Sequence, residues 1–300
     1  MATTANRVRN LRHVVLLAPC LALFSRLPCR AFVTVKSLHR YPVKSCLGEE
    51  VQSAELVQEG ILGDRTYVVA AGGRALTQRE APRLSALAAR LHGDVLQMAT
   101  TFTDDTLEVP LGEAGASDEA GDTSAALFGA PILGKDQGDA AAEWLSRALN
   151  PAKPRLLRRV RSCGRSAAGR HWADIAPLLV ISTASLEALS ESAQRAIPMD
   201  RFRPNIVLEG CDPHAEDVWK QIQIGDVQLQ ALGPCGRCTI VEVAQGQGQR
   251  DQISVYGALV AYRGQAVFGQ YYRPVPQSFG DPSASKRPSL EVGSKVEILA

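Results

Sequence analysis

From Phe32 the chain places apolar side chains at Phe32, Val33, Val35 and Leu38 between polar ones and then meets Tyr41-Pro42-Val43. That alternation predicts a strand running from Phe32 to Val43 and closed by a proline-containing turn. Gly60-Ile61-Leu62-Gly63-Asp64-Arg65 reads as a loop, and Tyr67-Val68-Val69-Ala70 as the strand after it. Ala71-Gly72-Gly73-Arg74 predicts a tight hairpin turn, because paired glycines accept the positive φ such turns require. The stretch Gly112 to Thr123, rich in Gly, Asp and Ala, lacks a hydrophobic pattern and is expected to be an exposed loop. Helical spacing returns from Gly138 to Leu149, where Ala141, Trp144, Leu145 and Ala148 share a face, and from Ser182 to Ala196, with Leu186 and Leu189. Between them Pro177-Leu178-Leu179-Val180-Ile181-Ser182 has the continuous apolar character of a buried strand, with Ser182 or Thr183 placed to cap the next helix. Further strands are predicted at Asn205 to Glu209, Val227 to Leu232, Thr239 to Val243, Ala266 to Tyr272 and Lys295 to Leu299. The chain is therefore of the α+β class and β-rich, with a few helices and neither a βαβ repeat nor a glycine-rich nucleotide fingerprint.

Composition narrows the class. With 45% hydrophobic and 21% charged residues in 300, the chain can bury one large core or two smaller ones. A formal charge of +2 gives no general argument for nucleic acid or a membrane surface. Arg155, Arg158, Arg159, Arg161, Arg165 and Arg170 read as a solvated face. The seven cysteines form no evenly spaced framework. Outside the first 31 residues they are Cys46, Cys163, Cys211, Cys235 and Cys238, an odd number that favours a reducing compartment.

Residues 1–31 stand apart. Arg7, Arg9 and Arg12 precede an apolar run from Val14 to Phe24 broken by Pro19, and no Asp or Glu occurs before Glu49. A spanning helix needs about twenty apolar residues, so this run is short for a membrane crossing. The segment reads as a transit peptide or other targeting segment, with weak anchoring through residues 14–24 as the alternative. Import into an organelle is expected, and these residues leave the mitochondrion, a plastid and a signal-peptide route open.

Four places put cationic or hydrogen-bonding groups beside turns: Tyr41-Pro42-Val43-Lys44-Ser45, Asp64-Arg65, Arg201-Phe202-Arg203-Pro204-Asn205, and Pro234-Cys235-Gly236-Arg237-Cys238. Lysine and arginine next to exposed amides form a natural anion site, and a phosphate-bearing cofactor is the simplest ligand common to them. The Cys-x-x-Cys pair by itself fits a zinc half-site, a redox dithiol or a single thiolate on a softer metal. No second Cys-x-x-Cys or His-x-x-x-His completes a zinc site, and His171 and His214 lack neighbours for a ligand set. Cys46 and Cys211 read as buried small hydrophobes, and Asp217 and Trp219 as anchors of a loop.

In their order and spacing, Tyr41-Pro42-Val43-Lys44-Ser45-Cys46, Gly63-Asp64-Arg65, Thr77-Gln78-Arg79, Pro82-Arg83-Leu84, Phe202-Arg203-Pro204-Asn205-Ile206, Gly210-Cys211, Ala215-Glu216-Asp217-x-Trp219, Ile224-Gly225-Asp226 and Cys235-Gly236-Arg237-Cys238 resemble the MOSC proteins that carry an N-terminal β-barrel domain. The resemblance runs from about Phe32 to Leu299 and is nearest to the mitochondrial amidoxime-reducing components. It implies a targeting segment at 1–31, an N-terminal MOSC β-barrel domain at 32–150 and a MOSC domain at 151–300, with the pyranopterin molybdenum cofactor (Mo-molybdopterin) between the two. By the same resemblance Cys238 ligates molybdenum and Cys235 does not. Lys44, Ser45, Arg65, Arg203 and Asn205 hold the phosphate and pterin, Gln270 and Tyr271 add contacts, Ser182 matches through its local run only, and Arg237 adds to the positive field. The implied activity is reduction of small N-hydroxylated substrates, amidoximes and hydroxylamines among them, with electrons from a cytochrome b5-type donor and its NADH-dependent reductase. A non-catalytic cofactor carrier or a sulfur-carrier protein is the alternative. The chain departs from the family after Cys238, where Ala244-Gln245-Gly246-Gln247-Gly248-Gln249-Arg250 replaces a Pro-x-Thr-Gly turn and a longer excursion. The Leu259-x-x-Tyr262-Arg263 element is retained.

Overall fold

The computed structural model describes residues 32–111, 123–150, 153–159, 176–252, 254–279 and 287–300. The targeting segment, the expected loop over 112–122, Cys163, His171 and three of the clustered arginines (Arg161, Arg165, Arg170) lie outside the described residues. The described strands form an eight-stranded sheet, a closed barrel, two three-stranded sheets and one two-stranded hairpin within one compact unit.

The largest has eight strands in the order Glu49–Val51, Thr34–Arg40, Ile206–Glu209, Leu178–Ser182, Val267–Pro274, Val227–Gly236, Gln221–Ile224, Val296–Ile298. Pairing is antiparallel except where Leu178–Ser182 runs parallel to Ile206–Glu209. The apolar run over 178–182 has a direct reason. Leu178 and Val180 enter one core with Leu38, Ile206 and Tyr272, whereas Leu179 and Ile181 enter another with Phe202, Cys235 and Phe268. A strand covered on both faces has no polar side to alternate with.

A closed barrel is built from Thr123–Leu127, Ala130–Asp136, Arg155–Arg159, Tyr67–Ala71 and Arg74–Ala75. The Gly72-Gly73 turn takes φ of 55° and 72°, as the glycine pair predicts. Beside the barrel lies a meander of Ala88–His92, Val95–Ala99 and Leu107–Pro110, which the hydrophobic pattern alone does not single out. The helix Asp139–Leu149 buries the predicted face of Ala141, Trp144, Leu145 and Ala148 against this region and stops at Asn150, whose φ is 59°. Each large side chain fully buried there contributes about 1.5–3 kcal/mol. Among the described residues no helix is long and apolar enough to cross a membrane.

Two expectations change. The strand predicted to end at Leu232 continues to Gly236 through irregular pairing around Ala231 to Gly236, so Cys235 lies inside it. Thr239 to Val243 is not a strand: Thr239–Glu242 forms a 3₁₀ turn, and only Val243–Ala244 pairs, with Gln249–Arg250. The cause is Glu242, whose carboxylate turns to accept from Ser254 Oγ (2.7 Å) and from the Val255 and Tyr256 amides (2.9 and 3.0 Å), capping the helix Val255–Arg263.

Candidate anion-binding site

Lys44 and Ser45 follow the first strand at the turn that the Pro42 ring opens. The turn is tied to the barrel by Lys44 N donating to Tyr67 O (2.8 Å) and Tyr67 N donating to Pro42 O (3.0 Å). Lys44 is only 4% exposed, and its ammonium lies 5.2 Å from the centroid of the Phe128 ring. Arg65 arrives from the Gly63-Asp64-Arg65 turn, and Arg203 from the turn before Ile206–Glu209. Their guanidinium carbons stand 4.4 and 4.3 Å from the centroid of one ring, that of Tyr41. The ring is fixed by its hydroxyl donating to Pro204 O at 3.0 Å. Burial pushes that hydroxyl up to about 12, against the pull of Arg203 and Arg65.

Three of the residues proposed from sequence occupy the left-handed region that side chains disfavour: Ser45 at φ 66°, Arg65 at 46° and Arg203 at 53°. Such conformations cost of order 1–3 kcal/mol each and persist where the surroundings enforce them. Asn205 is central to that enforcement. Its Oδ1 accepts from Arg65 Nη1 and from Leu179 N (3.2 Å each), and its Nδ2 donates to His39 O (3.2 Å). Arg65 also pairs with Asp64, which in turn accepts from Tyr41 N at 2.8 Å. Gln78 donates to Ser45 O at 2.7 Å, and Arg203 donates to Gln245 Oε1 at 3.2 Å. Contacts through Tyr41, Gln78 and Gln245 thus join Ser45, Arg65, Arg203 and Asn205, and Lys44 precedes Ser45 with its ammonium at Phe128.

Gln270 and Tyr271 lie on the neighbouring strand, where Tyr271 is opposite Leu179. Gln270 is 3% exposed, and its Oε1 is a buried acceptor without a hydrogen-bond partner. Gly269 lets this strand approach: its φ is 76°, and a Cβ there would stand 2.6 Å from Ile181 Cγ1.

The two cysteines of the Cys-x-x-Cys pair are unlike. Cys235 is in the core at 2% exposure, and Cys238 is exposed at the head of the 3₁₀ turn. Arg237 between them turns inward. Its Nε and Nη2 donate to Phe268 O (2.9 and 2.5 Å) and its Nη1 to Phe202 O (2.9 Å), so these donors hold the backbone immediately before Arg203 and Gly269. Ser182 is fully buried and committed elsewhere: it caps the helix Thr183–Ser192 and donates to Glu216 Oε2 at 3.0 Å. Glu216 accepts in addition from Ser182 N and Ser185 Oγ. Asp217 pairs with Arg263 at 2.5 Å, and Trp219 fills the first core, so both anchor their loop. Burial pushes the Cys46 thiol up to about 12, as suits a buried hydrophobe. Cys211 is half-buried and packs against the first core, its thiol raised mainly by burial. His214, expected to lack neighbours for a ligand set, hydrogen-bonds to Tyr262 (2.9 Å) and Arg263. Among the described residues no group of three or more His, Cys, Asp or Glu is placed to hold a metal ion. Tyr41 and Pro204 also line a cleft of about 470 Å3, together with Ser37, His39, Asp200 and Leu186 among others.

Sequence reasoning left Tyr41 and Gln78 in quoted motifs without a role, and placed Gln245 in the divergent loop. Their importance rests on contacts between distant segments, which no local pattern encodes.

The barrel, the eight-stranded sheet and the cluster of Arg65, Arg203 and Asn205 around Tyr41 are those of a β-rich protein with a part-buried cationic site. Residues 32–152 match the MOSC N-terminal beta barrel domain and residues 168–297 the MOSC domain. The chain is similar to mitochondrial amidoxime-reducing component 1 of Mus musculus, with 32% identity over 89% of this chain and 82% of that protein. It is likewise similar to the Homo sapiens protein of the same name, with 31% identity over 83% of this chain and 82% of that protein. A molybdenum cofactor sulfurase of Drosophila mojavensis is 30% identical over 80% of this chain, a match that spans 32% of the sulfurase. The chain belongs to the family that joins a MOSC N-terminal β-barrel domain to a MOSC domain.

Proposed function

We propose that this chain is a molybdenum-cofactor-binding oxidoreductase that reduces small N-hydroxylated compounds with electrons from an external cytochrome b5-type donor and its NADH-dependent reductase. The observation that carries the reading is the meeting of Arg65 and Arg203, both on strained backbone, at the Tyr41 ring, with buried Lys44 on the turn that follows Tyr41. A cationic cluster held at that cost fits a phosphate. The unpartnered Gln270 Oε1 suits an N–H donor of a pterin ring. Exposed Cys238 offers the soft thiolate that such a metal prefers.

In this reading Lys44, Arg65 and Arg203 bind the phosphate, Ser45, Asn205, Gln270 and Tyr271 orient the pterin, and Cys238 ligates the metal. The cofactor, when bound, supplies a metal centre able to take up and deliver electron pairs. Arg237 acts at one remove, holding the backbone on either side of the site. Ser182 belongs to the Glu216 network. We assign residues 32–150 and 151–300 as the two functional halves that flank the cofactor, and the mitochondrion as the compartment, in keeping with the names of the relatives.

The test is Cys238→Ala purified from a cofactor-competent host. Loss of benzamidoxime reduction and of bound molybdenum is expected, and persistence of both overturns the role of Cys238. A cofactor carrier is the second reading, favoured by the divergent hairpin that lies against Arg203. Wild-type protein that retains molybdenum yet reduces no N-hydroxylated substrate with any b5-type donor decides for the carrier.

A further inference from the structure

The segment read from sequence as departing from the family pattern, Ala244 to Arg250, forms with Val243 a small hairpin that lies across the N-terminal half. Ser85 Oγ donates to Ala244 O (3.1 Å) and accepts from Gly248 N (3.2 Å), Gly246 N donates to Ser85 O (2.8 Å), and Arg250 Nη2 donates to Arg79 O (3.0 Å). Gly248, at φ 69°, packs so closely that a Cβ there would stand 2.8 Å from the Phe102 ring.

At the tip of this contact Gln245 and Gln78 form a closed amide pair. Gln78 Nε2 donates to Gln245 Oε1 at 3.0 Å, and Gln245 Nε2 returns a bond to Gln78 Oε1 at 2.9 Å. The pair has a direction. At one end Gln78 Nε2 also donates to Ser45 O; at the other Gln245 Oε1 also accepts from Arg203 Nη1. Rotating both amides would set carbonyl oxygen against Ser45 O and NH2 against a guanidinium, so the two ends select one orientation. Gln245 Nε2 completes its bonding on Val243 O at 3.2 Å. Gln78 is fully buried, which makes a broken pair costly.

We infer that Gln245 is a positioning residue: through Gln78 and Arg203 it fixes the two cationic turns relative to each other and slows escape of the anionic cofactor. The inference rests on the proposed function and deepens it, since it assigns the divergent loop to retention of the cofactor. A neutral amide is required there. A carboxylate would accept from Arg203 but would lack the donor for Gln78, and its charge would oppose a phosphate held by the same guanidinium.

The experiment compares full-length wild type, Gln245→Leu, Gln245→Glu, Gln78→Leu and the Gln78→Leu/Gln245→Leu double variant, each purified from a cofactor-competent host. Pterin released over time is read as its fluorescent oxidation product, and melting is followed separately on apo-protein. Each single variant is expected to shorten the retention half-time about tenfold, the effect of losing one or two net hydrogen bonds. The double variant is expected to do no worse than either single one, and apo-protein of Gln245→Leu to melt about 2–12 °C below wild type, the cost of one stranded buried acceptor. Wild-type half-times in Gln245→Leu and Gln245→Glu overturn the inference, as do multiplicative effects in the double variant. If wild type carries no pterin, the proposed function is what fails. Inorganic phosphate then serves as the calorimetric probe: weaker binding to Gln245→Glu than to wild type supports the positioning role, and equal binding overturns it.

Discussion

Replacing Arg237 by methionine keeps an unbranched stem and removes every donor that the guanidinium gives to the Phe202 and Phe268 carbonyls. Both phenylalanines are 1% exposed, so water cannot replace those donors. Stranding one buried acceptor costs about 1–3 kcal/mol, and two therefore cost about 2–6 kcal/mol. Loss of the stacking between the guanidinium and the Phe202 ring, 5.3 Å apart, adds to this. At about 2–4 °C per kcal/mol for a chain of this size, the melting temperature should fall by roughly 10 °C. Thermal and urea unfolding of apo-protein, followed by circular dichroism, measure it directly. Arg237→Lys sharpens the result, because an ammonium keeps the charge but cannot span both carbonyls with a planar fork; it should recover less than half of the loss. An unchanged melting temperature in Arg237→Met, accompanied by weaker and more salt-sensitive cofactor binding, would refute the clamp and return Arg237 to the role of a field source over the anion.

Gly269→Ala should lose about 2–5 kcal/mol, since a Cβ at φ 76° is strained and would press on Ile181 Cγ1 at 2.6 Å and on the Val180 carbonyl at 2.8 Å; a wild-type urea midpoint would refute this. Acid should weaken the fold through two histidines. Desolvation and the neighbouring Arg263 hold His214 below its ordinary 6.5, and desolvation does the same to His39 against the opposing pull of Glu50 and Asp200. Their protons bind more tightly in the unfolded chain, so the stability they provide is complete above about pH 6.5 and is lost as pH falls from there through the lowered folded values. Urea titrations at pH 7.5 and 5.5 should show a smaller acid loss in His39→Gln/His214→Gln than in wild type, and equal losses count against the assignment.

The elements that sequence made legible are those whose burial follows one rule along the chain. The alternation over 34–40, the doubly covered run over 178–182 and the helical face of Ala141, Trp144, Leu145 and Ala148 each answer to a single period. Thr239 to Val243 was misread because its apolar residues imitate a strand while Glu242 is drawn away to cap a helix thirteen residues on. The candidate site shows the same division. Lysine and arginine beside Pro and Gly turns pointed to a cationic cluster, of which the structure brings Arg65 and Arg203 to one ring, and Cys235 and Cys238 differ in burial in the direction of the unequal roles proposed for them. The inward turn of Arg237, the capture of Ser182 by Glu216 and the Gln78–Gln245 pair depend on segments brought together only by the finished fold, and no local signal carried them.

The pairing of Thr34–Arg40 with Ile206–Glu209 has a consequence for how the molecule is made. At a synthesis rate of roughly 5–20 residues per second, the first strand waits on the order of ten to thirty seconds for its neighbour to leave the ribosome. During that interval Val35 and Leu38, which end in the first core, have only Glu49–Val51 of their eight-stranded sheet beside them, whereas the barrel draws on strands that are all complete by Arg159. Birth therefore runs opposite to chain order: the barrel can close early, and the segment that emerged before it must be kept from wrong partners until the last third of the protein arrives.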